Sequence, residues 1–325
     1  MFHYAPYGPA PWYCFPLMEF SIYFLFVICL RYAMQRSRRY VGYLLGGLVF
    51  GLMLEYVNVH SNLGYTYGRF AVMLGRAPLD IPLCIGVAWG IIMFSARVLT
   101  DELGLPLWAA AAVDALLAIS IDISLDTVAY RLHMWNWTWS GPGVNPLTSG
   151  WFGVPYGNFF GWLMVVFFYS SFSRLLEKVV DQQQQNTLLI AVLTPMMAIL
   201  FSEVALYMIL IYADTYFDKF GIRAGYRCLL FMAVLLIIAG RGWRKMNIGS
   251  PAARSSSLPA VTWLVPLWIH ATSFLWFFAE GFNREGRRMT AIAILNLLLA
   301  LYVHTQKGPF YWRMSRRKNG GLRRV

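Results

Sequence analysis

The stretch PLWAAAAVDALLAISIDISLDTVAY, residues 106–130, decides the fold. It is long and apolar enough to cross a bilayer core, which takes about 20 residues of helix. Yet it carries Asp114, Asp122 and Asp126. Carboxyl groups at membrane depth are costly, and the ones that persist face the bundle interior and mark a function. Steps of eight and four residues, at about 100° each, gather the three acids within an arc of roughly 120°. One face of this helix is therefore acidic and must turn toward other helices. Ser120 and Ser124 are expected near that face.

Composition extends the membrane reading to the whole chain. Of 325 residues, 58% are hydrophobic and 13% charged, about half the roughly 25% charged content of a soluble domain. A solvated globular enzyme is excluded. The net charge of +12 lies in short clusters between apolar runs, the pattern of membrane loops, and not in the basic stripe of a nucleic-acid binder. The four cysteines are scattered without a CxxC pair, so neither a disulfide framework nor a zinc knuckle is indicated.

The expected architecture is all-α, a polytopic transmembrane helical bundle in a single domain over residues 1–325. Nine spans fall near 16–34, 41–60, 79–98, 106–130, 157–174, 188–212, 225–240, 259–279 and 289–305. The seventh and ninth are short, which leaves eight as the other count. With the N-terminus outside and the C-terminus inside, eighteen of the 27 Lys and Arg residues lie in inner loops, seven of them in a basic cytoplasmic tail, 306–325. That bias follows the positive-inside rule. The first span lacks the basic start and cleavage site of a signal peptide. Gly42, Gly46, Gly47 and Gly51 give GxxxG spacings for close packing of the second span. The Trp-, Gly- and Pro-rich connection 131–156 is expected to fold over the outer mouth, and Ser255–Ser257 reads as an inner linker.

Several chemistries have no signature. There is no GxGxxG, no GxxxxGK[ST] and no GxSxG, and the five histidines never recur at i+3 or i+4. Neither a cofactor nor a metal site is expected. What remains is a set of polar groups at one depth: Glu55, Asp80, Asp122, Asp126, Asn158 and Glu203. Two carboxylates one turn apart repel unless one is protonated or a cation neutralises them, and Arg131 and His133 are the nearby cations in sequence. Each group also has a plainer reading. Glu19 is wetted at a span end, Glu203 joins two helices, and Asp114 is a buried polar contact. Trp135, Trp137, Trp139 and Trp151 read as an interfacial belt. Trp89, Trp162, Tyr65 and Tyr67 are placed closest to the acids, where aromatic faces stabilise a cation.

The segments GLMLEYVNVHSNLGYTYG (51–68), DIPLCIGVAW (80–89), DALLAISIDISLDTVAYRLHMWNWTW (114–139) and WFGVPYGNFFGW (151–162) resemble the integral-membrane carotenoid biosynthesis family. That family includes carotenoid 1,2-hydratases of gamma-carotene and bisanhydrobacterioruberin. The likeness covers a core of about 50–165. It puts Glu55, Asp80, Trp89, Asp122, Asp126, Trp135, Trp137, Pro155, Asn158 and Trp162 on family-pattern positions. Thr127 stands where the family has proline, and NVHSN replaces a glycine-rich stretch after Glu55.

The resemblance implies cofactor-independent hydration of a terminal isoprenoid double bond. A buried carboxylic acid protonates the alkene, and water captures the tertiary carbocation. Asp122, Asp126, Glu55 and Asp80 are the expected catalytic group. Trp89, Tyr65, Tyr67, Trp135, Trp137, Asn158 and Trp162 are the expected substrate contacts. The implied partners are a lipophilic carotenoid or isoprenoid, the lipid bilayer and other enzymes of that pathway, with no nucleic acid. The implied location is a bacterial inner membrane or archaeal plasma membrane. Two rivals stand beside this reading. A magnesium-dependent prenyl transferase would use Asp122-xxx-Asp126 as half of a diphosphate site. A proton- or cation-coupled transporter would use the acids as a path.

Overall fold

The structure is a computed structural model that describes residues 8–61, 65–139, 144, 145, 147–182, 188–244 and 258–305. The basic tail and the Ser255–Ser257 linker lie outside the described residues. Among those described, nine helices are long and apolar enough to cross a membrane. They are α1 (Cys14–Arg36), α2 (Arg38–His60), α3 (Leu83–Leu103), α4 (Leu107–Arg131), α5 (Tyr156–Gln182), α6 (Leu188–Lys219), α7 (Ala224–Arg244), α8 (Val261–Ala279) and α9 (Arg287–His304). The chain is thus a polytopic helical bundle. Four short strands join them: β1 (Tyr65–Tyr67), β2 (Met73–Leu74), β3 (Ile81–Pro82) and β4 (Trp135–Trp137).

α3 is the central helix. It is buried along almost its whole length and meets α1, α2, α4 and α8. The glycines explain how α2 comes so close to it. A Cβ on Gly90 would lie 3.0 Å from the Leu44 carbonyl oxygen, and one on Gly47 would lie 3.3 Å from Gly90 Cα. Contacts that tight leave no room for a side chain, so the small-residue stripe is a packing device. Gly104 ends α3 in the left-handed conformation at φ 63°, and α4 begins right after Pro106. A non-glycine residue would be strained at that stop.

Two helices contain an internal proline, Pro195 in α6 and Pro266 in α8. A helical proline leaves the carbonyl four residues earlier without its donor. For Pro266 that carbonyl is Thr262 O, and His304 Nδ1 at the end of α9 reaches it at 3.0 Å. α9 is also held to α4, where Asn296 Nδ2 donates to Ser120 O and to Ser124 Oγ.

The element limits differ most from those read in the sequence at four spans, and the fifth runs on to Gln182. The third span begins at Leu83, because the chain at Ile81–Pro82 pairs with β2 and Asp80 sits in the turn before it. The seventh is a full helix to Arg244, and the sixth runs on to Lys219. The face expected for the serines is also corrected. Ser124 turns to α9, because a residue two positions from Asp122 and from Asp126 is rotated by about 200° from each.

Candidate functional site

α4 lies against α5, and its acidic face is turned into that contact. Asn158, in the first turn of α5, donates from Nδ2 to Asp122 Oδ2 at 3.1 Å and to Asp126 Oδ2 at 2.6 Å. One amide therefore bridges two carboxyl groups on successive turns of the same helix. Asp122 and Asp126 are both buried, and Asp122 Oδ1 has no hydrogen-bond partner among the described residues.

Glu55 enters from α2. The Trp89 indole of α3 donates to Glu55 Oε1 at 2.9 Å, and Asn58, one turn on, donates to Oε2 at 3.4 Å. Trp89 in turn stacks on Trp162 of α5, with ring centroids 3.9 Å apart and an angle of 26°. Gly51 makes this arrangement possible, since any Cβ there would collide with the Trp89 side chain. Glu55 is close enough for its charge to act on both aspartates. Four helices thus contribute one group each or more to a single buried cluster: Glu55, Trp89, the aspartate pair, and Asn158 with Trp162.

An antiparallel ribbon covers the cluster. β1 pairs with β4 in the register Tyr65–Trp137, Thr66–Asn136 and Tyr67–Trp135. Alternate residues of a strand point to opposite faces, so Tyr65, Tyr67, Trp135 and Trp137 share one face. Their rings touch: Tyr65 and Trp137 are 5.5 Å apart, and Tyr65 and Tyr67 are 5.1 Å apart. The Tyr65 hydroxyl donates to that of Tyr67 at 3.1 Å, and Tyr67 lies beside the Glu55 carboxyl. The Trp135 indole N–H is carried toward Asp126 without completing a hydrogen bond. Burial first, and then the charge of Glu55, push the hydroxyls of Tyr65 and Tyr67 well above the ordinary tyrosine range. Both therefore remain proton donors.

The other sequence candidates fall elsewhere. Asp80 pairs with Arg69 at 2.5 Å. It lines an open chamber with Thr66, Asn136 and His133 and with the ribbon residues Tyr67 and Trp137. Asp114 lies at the other end of α4, where it accepts from Thr100 at 2.7 Å, Ser170 at 2.6 Å and Arg174 at 2.9 Å. Arg174 also pairs with Asp101, and Arg97 reaches Glu177 at 2.5 Å. Asp114 is thus one node of a buried ion network. Glu19 accepts from the backbone N–H groups of Ala71 and Val72 at 2.7 and 3.0 Å and anchors the loop after β1. Glu203 on α6 is half-buried, and its Oε1 has no hydrogen-bond partner among the described residues.

Arg131 does not neutralise the aspartates. Its guanidinium is fully buried and grips Glu285 with two bonds of 2.5 and 2.6 Å, while Nη1 donates to Thr127 O and Phe152 O. This clamp ties α4 to the short 3-10 turn Phe282–Glu285 between α8 and α9. Glu285 and Asn296 went unnoticed in the sequence. Each has its partner more than 150 positions away, so no local spacing marks it.

No curated protein and no solved structure matches the chain. A family model does, over residues 16–246, which spans α1 to α7 and includes every member of the buried acid cluster and its ribbon. By that match the chain belongs to the family described as carotenoid biosynthesis protein.

Proposed function

We propose that the chain hydrates a terminal isoprenoid double bond of an acyclic carotenoid inside the membrane. The observation that carries this reading is the Asp122–Asp126 pair bridged by Asn158 beneath an aromatic cover. Two charged carboxylates held this close in a buried site repel strongly. The one arginine near them in sequence is engaged by Glu285. A single proton held between the two carboxyls relieves the repulsion and supplies a neutral acid.

In the proposed reaction a carboxyl of the pair gives its proton to the less substituted, inner carbon of the terminal double bond. A C–H bond forms, and the cation develops on the tertiary carbon. The faces of Trp89, Trp162, Tyr65 and Trp137 stabilise it, because aromatic quadrupoles attract positive charge. Water then forms the C–O bond, and its surplus proton returns to the carboxylate. The net change is the addition of one water, with no electrons transferred. Glu55, held by Trp89 and Asn58, serves to orient the water. The open chamber lined by Thr66, Tyr67, Asn136 and Trp137 of the ribbon supplies it.

The test is pigment analysis. The gene is expressed in a bacterium that makes acyclic carotenoids, and the extract is searched for a mass gain of one water. That product, lost in Asp126→Asn at equal membrane expression, supports the reading. Turnover that requires a diphosphate substrate and added magnesium would replace it with prenyl transfer. Solute flux with unchanged pigments would replace it with transport.

A further inference from the structure

Glycine inside a helix costs about 1 kcal/mol relative to alanine, and in a membrane bundle close helix packing is the usual reason for it. α2 and α3 follow that pattern. A Cβ on Gly46, Gly51, Gly86 or Gly90 would press on a neighbouring helix. The first two turns of α5 do not. No atom lies within 4 Å of the place a Cβ would take on Gly157 or on Gly161, one turn further on. Gly161 is nevertheless half-buried, so the empty space beside it is recessed. Deeper in the bundle α5 does meet α6, where the rings of Phe172 and Phe201 are 5.8 Å apart. Beside the two glycines there is no such contact among the described residues.

What stands next to this recess is the acid cluster. At about 100° per residue, Gly157, Asn158, Gly161 and Trp162 fall within an arc of roughly 140°. One face of α5 therefore carries two empty positions beside two side chains of the site. Asn158 and Trp162 are both only half-buried. Asn158 bonds directly to Asp122 and Asp126, and Trp162 reaches Glu55 through the stacked indole of Trp89. Asn58, the other partner of Glu55, is exposed. Behind this wall, one side chain thick, the three carboxyls are buried. Asp122 Oδ1 has no hydrogen-bond partner among the described residues, so the recess leads toward a polar group still open to a ligand. α6 packs on both α2 and α5, and α2 and α6 expose Met53, Val57, Val204 and Met208. The recess thus lies among lipid-facing helices.

We propose that Gly157 and Gly161 leave a furrow in α5 through which the isoprenoid chain of the substrate passes from lipid to the acid cluster, and that Gly161 sets the girth of chain accepted. The proposal rests on the hydration reading for its occupant, a long unsaturated hydrocarbon. A polyene is thin and carries no branch larger than a methyl group, so it fits past a glycine where a leucine would block it.

Retention of lycopene, an acyclic polyene, by the purified full-length protein in detergent tests it, with hydrated product assayed in parallel. Gly161→Leu fills the furrow, meets no atom at its Cβ and is the better helix former, so its unfolding temperature should not fall. Gly240→Leu is the control. Gly240 is equally open but fully on the surface, in the last two turns of α7, whereas it is the start of α7, at Gly225, that meets Tyr156 of α5. Wild type and Gly240→Leu should retain the pigment equally. Gly161→Leu should retain about tenfold less, the equivalent of about 1.4 kcal/mol. Gly157→Leu, at the mouth of the furrow, carries the test if Gly161→Leu does not fold. Retention that depends on Gly161 without any hydrated product keeps the furrow and removes the hydration reading. Three results would overturn the proposal: no retention by wild type, an equal loss in Gly240→Leu, or full retention in the folded Gly157→Leu and Gly161→Leu variants, as expected where lipid alone fills the space.

Discussion

At the residue scale the site turns on one amide. Asn158 holds Asp122 and Asp126 at fixed positions, and nothing else described bridges them. Asp126→Asn keeps the shape and removes an acid, so product should fall by about 100-fold or more, the usual contribution of a general acid, with insertion unchanged on a membrane-fraction blot. Asn158→Leu strips both carboxyls of their donor. It should cost about 1–3 kcal/mol of stability for the groups left unsatisfied, read as a lower unfolding temperature, and lower turnover as well. Arg131 behaves differently. Arg131→Met leaves Glu285 and the Phe152 carbonyl without their partner. Breaking one side of such a buried pair costs about 3–5 kcal/mol, so thermal unfolding should shift far more than in either site variant.

At the scale of elements, the acidic face of α4 was legible because helical periodicity is rigid: the acids of α4 do face α5 through Asn158 and Ser170. The glycine stripe of α2 was legible for the same reason. The ribbon was not. Tyr65–Tyr67 and Trp135–Trp137 are strands of only three residues, too short for their alternation to stand out, and their pairing is fixed by where the helices deliver them. The partners of Asp80 and Arg131, Arg69 and Glu285, were not legible, because they come from loops whose course no pattern announces. Helix spacing also yields a prediction. Gly51→Ala pushes Trp89 out of its seat and off Glu55. Small misplacements of this kind can cost on the order of 100-fold in rate, so turnover should fall while the variant still elutes as folded protein. Gly90→Val instead wedges α2 from α3. It should destabilise by about 1–3 kcal/mol, the usual penalty of overpacking, measured as faster proteolysis in detergent.

At the scale of the whole molecule the two ends of the bundle differ. One holds the network of Arg97, Asp101, Asp114, Arg174 and Glu177, and the other holds the ribbon and the Arg131–Glu285 clamp. From the basic loops of the sequence we propose that the first end faces the cytoplasm. A reporter fused to the C-terminus should therefore be active inside the cell, and activity on the outer side alone would invert the bundle. The ribbon also sets an order of events during synthesis. Its two strands are about seventy positions apart and flank α3 and α4, so β1 waits unpaired until both helices have left the ribosome and entered the bilayer. The aspartates on α4 then wait again, for Asn158 at the start of α5. Through that interval a nascent chain carries an uncovered acidic face in the membrane, and a fragment ending at α4 would keep two carboxyls without the amide donor that α5 brings.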